Sequence, residues 1–561
     1  MRRTHCSVKL RRPAKIGITD SSVMDLTRGK SIFVRQATGL VKGLRWYDGI
    51  IMALAYFNVA VGAFLVFGWG SWLFPGANMI ITIGLVGLIV DIPVVLVYSW
   101  FSMLMPRTGG DYIYVSRGLS SWMGFAVGLV FFVFLSAFSV GQNAWFSTAT
   151  VISPYLAAIG STNSIPWLVN LSSEITQPGP SILIGLVLLI IVLFVLTRSS
   201  ETVHKIMSVL FIIAFVGWPI LYVIALAASS NAAFIHAFNA YAAKNNFPSY
   251  SAVISTAKSS GFSIIPPTFG ASLLALPIVY ATVAFPQGIT YLGGEVKKAN
   301  RSLPLSLISS LFILVGVVAL MGYFTYNVFG YSFLTSSASL GFTGTNYPYV
   351  SPPYTDYFLA ILYPNVPFNV FMMISALCWE LLLMIMFGLM ATRFLFATSF
   401  DRILPSWVSD ISERFHSPVK ASIVLMVVAF IFLALTAFNF IVTYFDSVTA
   451  WTTAYILVMV AGIVLPFRRK DLLQYAPPIV KKTIAGIPLI SVFGVLGVIS
   501  LGVVFYTLLL NTDVSGATVL GLSVVTLSYI IGIVWYFASV AYKKRKSGFD
   551  PSLAFKEIPP E

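Results

Sequence analysis

The sequence predicts an all-α integral membrane protein of 12 transmembrane helices. They form a 5+5 inverted repeat with discontinuous helices 1 and 6, plus two extra helices. Three observations predict it: the chain is too apolar for water, it divides into membrane-length runs, and its positive charge falls almost wholly on one side of them. Apolar residues make up 58% of the 561 and charged ones only 9%, against about 25% charged in ordinary soluble domains. The mean hydropathy is +0.89. Lipid is therefore the solvent for most of the surface.

A helix crossing about 30 Å of hydrocarbon needs roughly 20 apolar residues. Such runs lie near 48–68, 78–104, 122–149, 181–197, 205–228, 270–294, 303–329, 366–396, 419–438, 441–466, 484–510 and 516–541. With the N-terminus in the cytoplasm, the stretch before Trp46 carries 11 Lys plus Arg. The cytoplasmic loops then carry Arg107 and Arg117, Arg198 and Lys205, and Lys297, Lys298 and Arg301. Further along come Arg393, Arg402, Arg414 and Lys420, then five cations from Arg468 to Lys482, and five more in the C-terminal tail. Of the 34 Lys and Arg, only Lys244 and Lys258 are left outside. Short basic loops resist translocation, so the expectation is a multi-pass plasma-membrane protein with both termini cytoplasmic. The net charge of +15 reports orientation and contact with anionic lipid, not nucleic acid.

The expected organisation follows: a basic tail 1–46, a first repeat unit 47–228, an outer loop 229–269, a second unit 270–466, two further spans 467–542 and a tail 543–561. The first 46 residues lack the apolar core of a secretory signal. Asn170-Leu171-Ser172 is a glycosylation sequon on the outer side. Two cysteines, Cys6 and Cys378, exclude a disulfide framework. Four scattered histidines give no metal spacing. With no His, Cys or carboxylate cluster for chemistry, the chain does not read as an enzyme, and neither a metal nor a cofactor is expected.

Two runs carry an interruption. In span six, "YATVAFPQGITY" places Pro286 and Gly288 at membrane depth. Proline removes a backbone hydrogen bond, and the freed groups must meet protein or a wet cavity. A kink or a true break both fit. In span one, "ALAYFNVAVGAFLVFG" places Asn58 in mid-membrane with Gly62 one turn later. Here an interhelical hydrogen bond and a break both fit. The two spans are five apart, an odd number, so the second unit enters from the opposite side as an inverted repeat. Paired discontinuous helices point to a transport site. Half-helix N-termini suit an anion and unwound carbonyls a cation, so together they suit a small zwitterion. The candidate substrate residues are Tyr56, Phe57, Asn58, Ala60, Val61 and Gly62 of span one. Span six adds Ala284, Phe285, Pro286, Gln287 and Gly288.

Buried charge in a span is a functional candidate. Asp91, ahead of Pro93, reads as a coupling group or as a packing contact for backbone freed by the proline. Glu380 reads as a proton carrier, a contact for a substrate amine, or a carboxyl hydrogen-bonded in the bundle. Glu295, at the inner mouth, lies beside Lys297 and Lys298, with which a solvated surface pair fits. Asp48 and Asp446 read as helix-start acids.

Three motifs carry a resemblance. Pro106-Arg107-Thr108-Gly109-Gly110-Asp111-Tyr112-Ile113-Tyr114 resembles the stretch after span two of amino acid permeases in the amino acid–polyamine–organocation superfamily. "YLGGEVKKANRSLP" is similar to their stretch ending span six, with Ala299 where proline is usual. "ATRFLFATSFDRILP" resembles the one after span eight, with Asp401-Arg402 where Arg-Asp-Gly is usual. The resemblance implies a LeuT-type fold and secondary transport of amino acids or related amines by alternating access, cation-coupled through H+ or Na+, or by exchange. It implies an inner-gate role for Glu295. Span five has no mid-membrane lysine, and Leu381 to Leu389 offers no Ser or Thr, which departs from proton- and sodium-coupled relatives. A polyamine or organic-amine carrier, with Glu380 on the second amine, and a channel or nutrient sensor on the same fold are the alternatives. The sequence sets no oligomeric state.

Overall fold

The structure is a computed structural model. It describes residues 42–283, 287–344, 347–412, 415, 417–440, 447–474, 476–511, 517–548 and 550–556. Ala284, Phe285, Pro286, Asp446 and the basic tail before residue 42 therefore lie outside the described residues.

The chain enters through α1 (Trp46–Leu54) and α2 (Val59–Leu73), which are bent by 45° at the break between them. Next come α3 (Met79–Leu104), the short α4 (Asp111–Gly118), α5 (Ser121–Asn163), α6 (Pro178–Leu196) and α7 (Ser200–Ala227). Two surface helices, α8 (Asn231–Lys244) and α9 (Tyr250–Ser259), lead to α10 (Leu276–Val283). The chain continues through α11 (Ala299–Phe329), α12 (Tyr331–Thr343), α13 (Thr355–Leu362) and α14 (Val366–Phe400). It closes with α15 (Val419–Ala437), α16 (Ser447–Arg468), α17 (Leu489–Leu510) and α18 (Val519–Lys546). Among the described residues ten helices are long and apolar enough to cross a membrane, and the α1–α2 pair makes eleven. The sequence expects another span between α7 and α11. There the described residues form short pieces: Phe269–Leu274, α10, and 3₁₀ turns at Gln287–Tyr291 and Gly293–Glu295.

Local chemistry explains several irregularities. Pro93 cannot donate a hydrogen bond, and the turn before it widens so that the Asp91 N–H reaches the Val86 carbonyl, five residues back. The Asp91 carboxylate does not serve that widened turn, since both its oxygens are buried without a hydrogen-bond partner. α5 widens twice, at Phe131–Ala137 and Ser147–Ile152, and runs on to Asn163, well past the expected end at 149. Ser and Thr hydroxyls in its last third bond back to carbonyls four residues earlier, as Thr150 does to Phe146 at 2.9 Å. The polar stretch thereby stays helical. α7 is interrupted at Trp218 (φ −110°, ψ 111°) just ahead of Pro219.

α14 is the central post, buried along most of its length. It repairs the α7 interruption. Ser375 Oγ accepts the Trp218 N–H at 3.0 Å and donates to the Ala214 carbonyl at 2.9 Å, and Trp379 Nε1 donates to the Trp218 carbonyl at 2.6 Å. At the end of α7, α8, α9, α12 and α13 pack through Phe234, Phe238, Tyr250, Phe333 and Phe358.

The opposite, basic end is closed by two motifs. Gly109 (φ +116°) and Gly110 (φ +47°) occupy backbone that favours glycine. A Cβ at 110 would stand 2.5 Å from the Tyr291 ring. Glycine lets the loop lie flat on the span-six region: Gly109 N–H donates to the Tyr291 carbonyl at 3.1 Å, and Thr108 bridges Leu292. Asp401, from the third motif, takes the Tyr112 hydroxyl of the first at 2.6 Å and Arg117, further along α4, at 2.7 Å. Phe555 lies 4.7 Å from the same guanidinium.

Candidate functional site

The span-one break is a designed helix start. Asn58 is extended (φ −108°, ψ 96°), and its Oδ1 accepts the Val61 N–H at 3.1 Å, capping α2. The Gly62 N–H bonds the Asn58 carbonyl at 2.8 Å. No backbone bond runs from residues 56–57 into α2 among those present. The Val59 and Ala60 N–H groups thus open α2 with no preceding turn to accept them.

This break borders a cavity of about 120 Å³. Span one contributes Tyr56, Phe57, Asn58, Val61 and Gly62 to it. α5 gives Ser139, Gln142 and Asn143 with Leu135, Phe138 and Phe146 beside them. α10 gives Ala281 and Thr282, α14 Leu383 and Phe387, and α16 Ser447, Trp451 and Tyr455. The Tyr56 and Tyr455 hydroxyls meet at 3.0 Å along its wall. Space at Gly62 is open: a Cβ would find only Thr282, at 3.8 Å.

The structure brings five of the eleven candidate substrate residues to the cavity. Ala60 is buried behind its wall. Ala284, Phe285 and Pro286 lie outside the described residues. Gln287 is fully buried with neither amide atom hydrogen-bonded, though it lies close to Tyr56. Gly288 is packed tight: a Cβ would stand 2.9 Å from Met386 Cε and 3.0 Å from Tyr56. Asn58 Nδ2 lacks a partner, and it neighbours Glu380, whose oxygens make no hydrogen bond of ordinary geometry. Glu380 is fully buried.

Glu295 sits away from the cavity, at the basic end. Arg393 grips it with two parallel bonds, Nε to Oε1 at 2.9 Å and Nη2 to Oε2 at 3.1 Å, and Ser200 Oγ donates to the same carboxylate. The carboxylate is fully buried and the guanidinium nearly so. The solvated pairing with Lys297 and Lys298 is therefore replaced by a buried fork. Close by, Asp48 accepts the Arg45 N–H at 2.8 Å, as a helix-start acid does, and also pairs with His204 at 2.9 Å. α1, α7, α14 and the end of the span-six region are thus tied together at one level. Asp91 stands apart as an unpaired buried carboxylate in α3.

Sequence reasoning passed over the α5 amides, Ser139, Arg393 and Asp111. The signal for Arg393 was available: an arginine inside an apolar run needs a buried acid. Among the described residues no group of three or more His, Cys, Asp or Glu could hold a metal ion.

A bundle of apolar helices with a broken span beside a small cavity defines a polytopic membrane protein. The chain matches the family model described as amino acid permease over residues 51–535. It belongs to that family, within the amino acid–polyamine–organocation superfamily. No curated protein matches the chain.

Proposed function

We propose that the protein is a secondary transporter of amino acids, working by alternating access on a LeuT-type five-plus-five fold, with the basic end facing the cytoplasm. The observation that carries this reading is the capped start of α2 on the wall of a cavity sized for a small solute. The substrate carboxylate sits at the free N–H groups opening α2, where the helix dipole favours an anion. Its amine faces the span-six break at 284–288. Asn58 serves as hinge and cap, with Glu380 orienting its amide. Glu295 and Arg393 hold the cytoplasmic side shut.

The test is uptake of a mixture of the twenty ¹⁴C-labelled L-amino acids into proteoliposomes. Gly62→Ala has room at 3.8 Å and retains uptake. Gly62→Leu fills the cavity and loses it, while remaining monodisperse in detergent. Uptake by Gly62→Leu at the wild-type rate refutes this placement. Polyamines competing better than amino acids would favour the organic-amine alternative.

A further inference from the structure

Below the cavity lies a group the transport reading has not used. Asp111 opens α4, outside the membrane-spanning helices, and is fully buried. Its Oδ1 accepts the Tyr98 hydroxyl, and its Oδ2 has no hydrogen-bond partner of ordinary geometry. Tyr291, also fully buried and with its hydroxyl unpaired, is a further donor acting on Asp111. The titratable groups facing Asp111 are all tyrosines: Tyr98 from α3, Tyr114 from α4, Tyr291 from the span-six region, and Tyr56 and Tyr455 from the cavity wall. No arginine or lysine compensates it among its described neighbours. A carboxylate left so dry favours its neutral form. Burial pushes it up to about 6, with Tyr98 and Tyr291 pulling the other way.

The position matters as much as the burial. Tyr291 lies three residues beyond Gly288, on the segment that also carries Glu295. Tyr98 touches Tyr455, their ring centres 6.1 Å apart, and Tyr455 bonds Tyr56 on the cavity wall. Asp111 is thus wedged between the substrate cavity and the elements that close the basic end. We propose that Asp111, in its cage of Tyr98 and Tyr291, is the proton-binding site that couples proton entry to solute entry.

The proposal rests on the transport reading. With the basic end closed, Asp111 is dry and takes up a proton as the pH falls to about 6. Parting of the span-six segment from the 106–110 loop wets it, and the O–H bond breaks, the proton leaving to water and the electron pair staying on the carboxylate. The open end therefore binds the proton about a hundredfold more weakly than the closed end, the step from about 6 to an exposed aspartate. Linkage makes this reciprocal: protonation favours closure by the same factor.

The test uses proteoliposomes loaded with pyranine, with the twenty L-amino acids added outside. In the wild type the lumen acidifies as ¹⁴C label enters. In Asp111→Asn the acidification is lost, while counterflow, which needs no net proton movement, remains measurable. In Tyr98→Phe, loss of a donor to the ionised form raises the pH midpoint of uptake by about one to two units, which a merely structural role would not produce. Asp111→Glu restores acidification. Acidification in Asp111→Asn, or wild-type uptake with no acidification, overturns the proposal alone. Absence of wild-type uptake overturns the transport reading beneath it.

Discussion

Replacing Glu295 with Gln should unlatch the basic end. The carboxylate is fully buried and accepts two parallel bonds from Arg393, at 2.9 and 3.1 Å, with Ser200 as a third donor. Removing one partner of a buried pair leaves the other charge unpaired and costs about 3–5 kcal/mol. Glutamine keeps one acceptor oxygen, so the lower end applies. On the proposed alternating-access reading that cost falls on the closed state alone, because opening returns Arg393 to water. About 3 kcal/mol corresponds to a little over a hundredfold in population. The assay is labelling of Leu292→Cys, buried in the closed state, in a background with Cys6 and Cys378 replaced. A membrane-impermeant maleimide should react roughly hundredfold faster in Glu295→Gln. Glu295→Met with Arg393→Met removes both charges. It should return labelling toward the starting rate, since apolar substitutes for a buried pair are near neutral. Glu295→Gln labelled at the parental rate, or the double variant as reactive as the single one, would refute the latch.

Two further outcomes follow from geometry and titration. Gly288→Ala places a methyl 3.0 Å from the Tyr56 ring and 2.9 Å from Met386 Cε, the movable end of its side chain; the crowding should cost about 1 kcal/mol, the low end for overpacking, and appear as a lowered unfolding midpoint, absent in Gly62→Ala. Asp356, at the start of α13 beyond the spans, is raised to about 7 by burial. Its folded form binds the proton more tightly than the unfolded chain, so its contribution is full below about pH 4 and is lost as pH rises toward 7. Proteolysis of the α12–α13 region should quicken over that interval, and Asp356→Asn should flatten the dependence.

What the residues disclosed in advance was local chemistry. Asn58 and Gly62 announce a break because a capping amide followed by glycine is written within one turn of chain. Gly109-Gly110 is legible as part of a motif, and the fold supplies the reason: only glycine tolerates those angles beside the Tyr291 ring. What stayed hidden depends on partners far along the chain. Arg393 and Glu295 are 98 residues apart, so Arg393 alone reads as a loop cation and Glu295 as a partner for Lys297 and Lys298. Asn143 reads equally as a packing amide; only the course of α5 brings it to the cavity. Asp111 draws no reading of its own, since burial against tyrosines from distant elements, Tyr98 and Tyr291 among them, is not written in its neighbours. The end of α5 was missed because hydroxyls that bond their own helix look, in sequence, like a loop.

The repair of α7 by α14 has a mechanical corollary. An unwound tryptophan with proline beside it would ordinarily be a joint. Here Ser375 and Trp379 stitch both sides of it to a neighbouring post, so the two rods behave as one beam. On the proposed alternating-access reading, the moving helices swing against that beam, and the torque concentrates on the short unwound links of the first span.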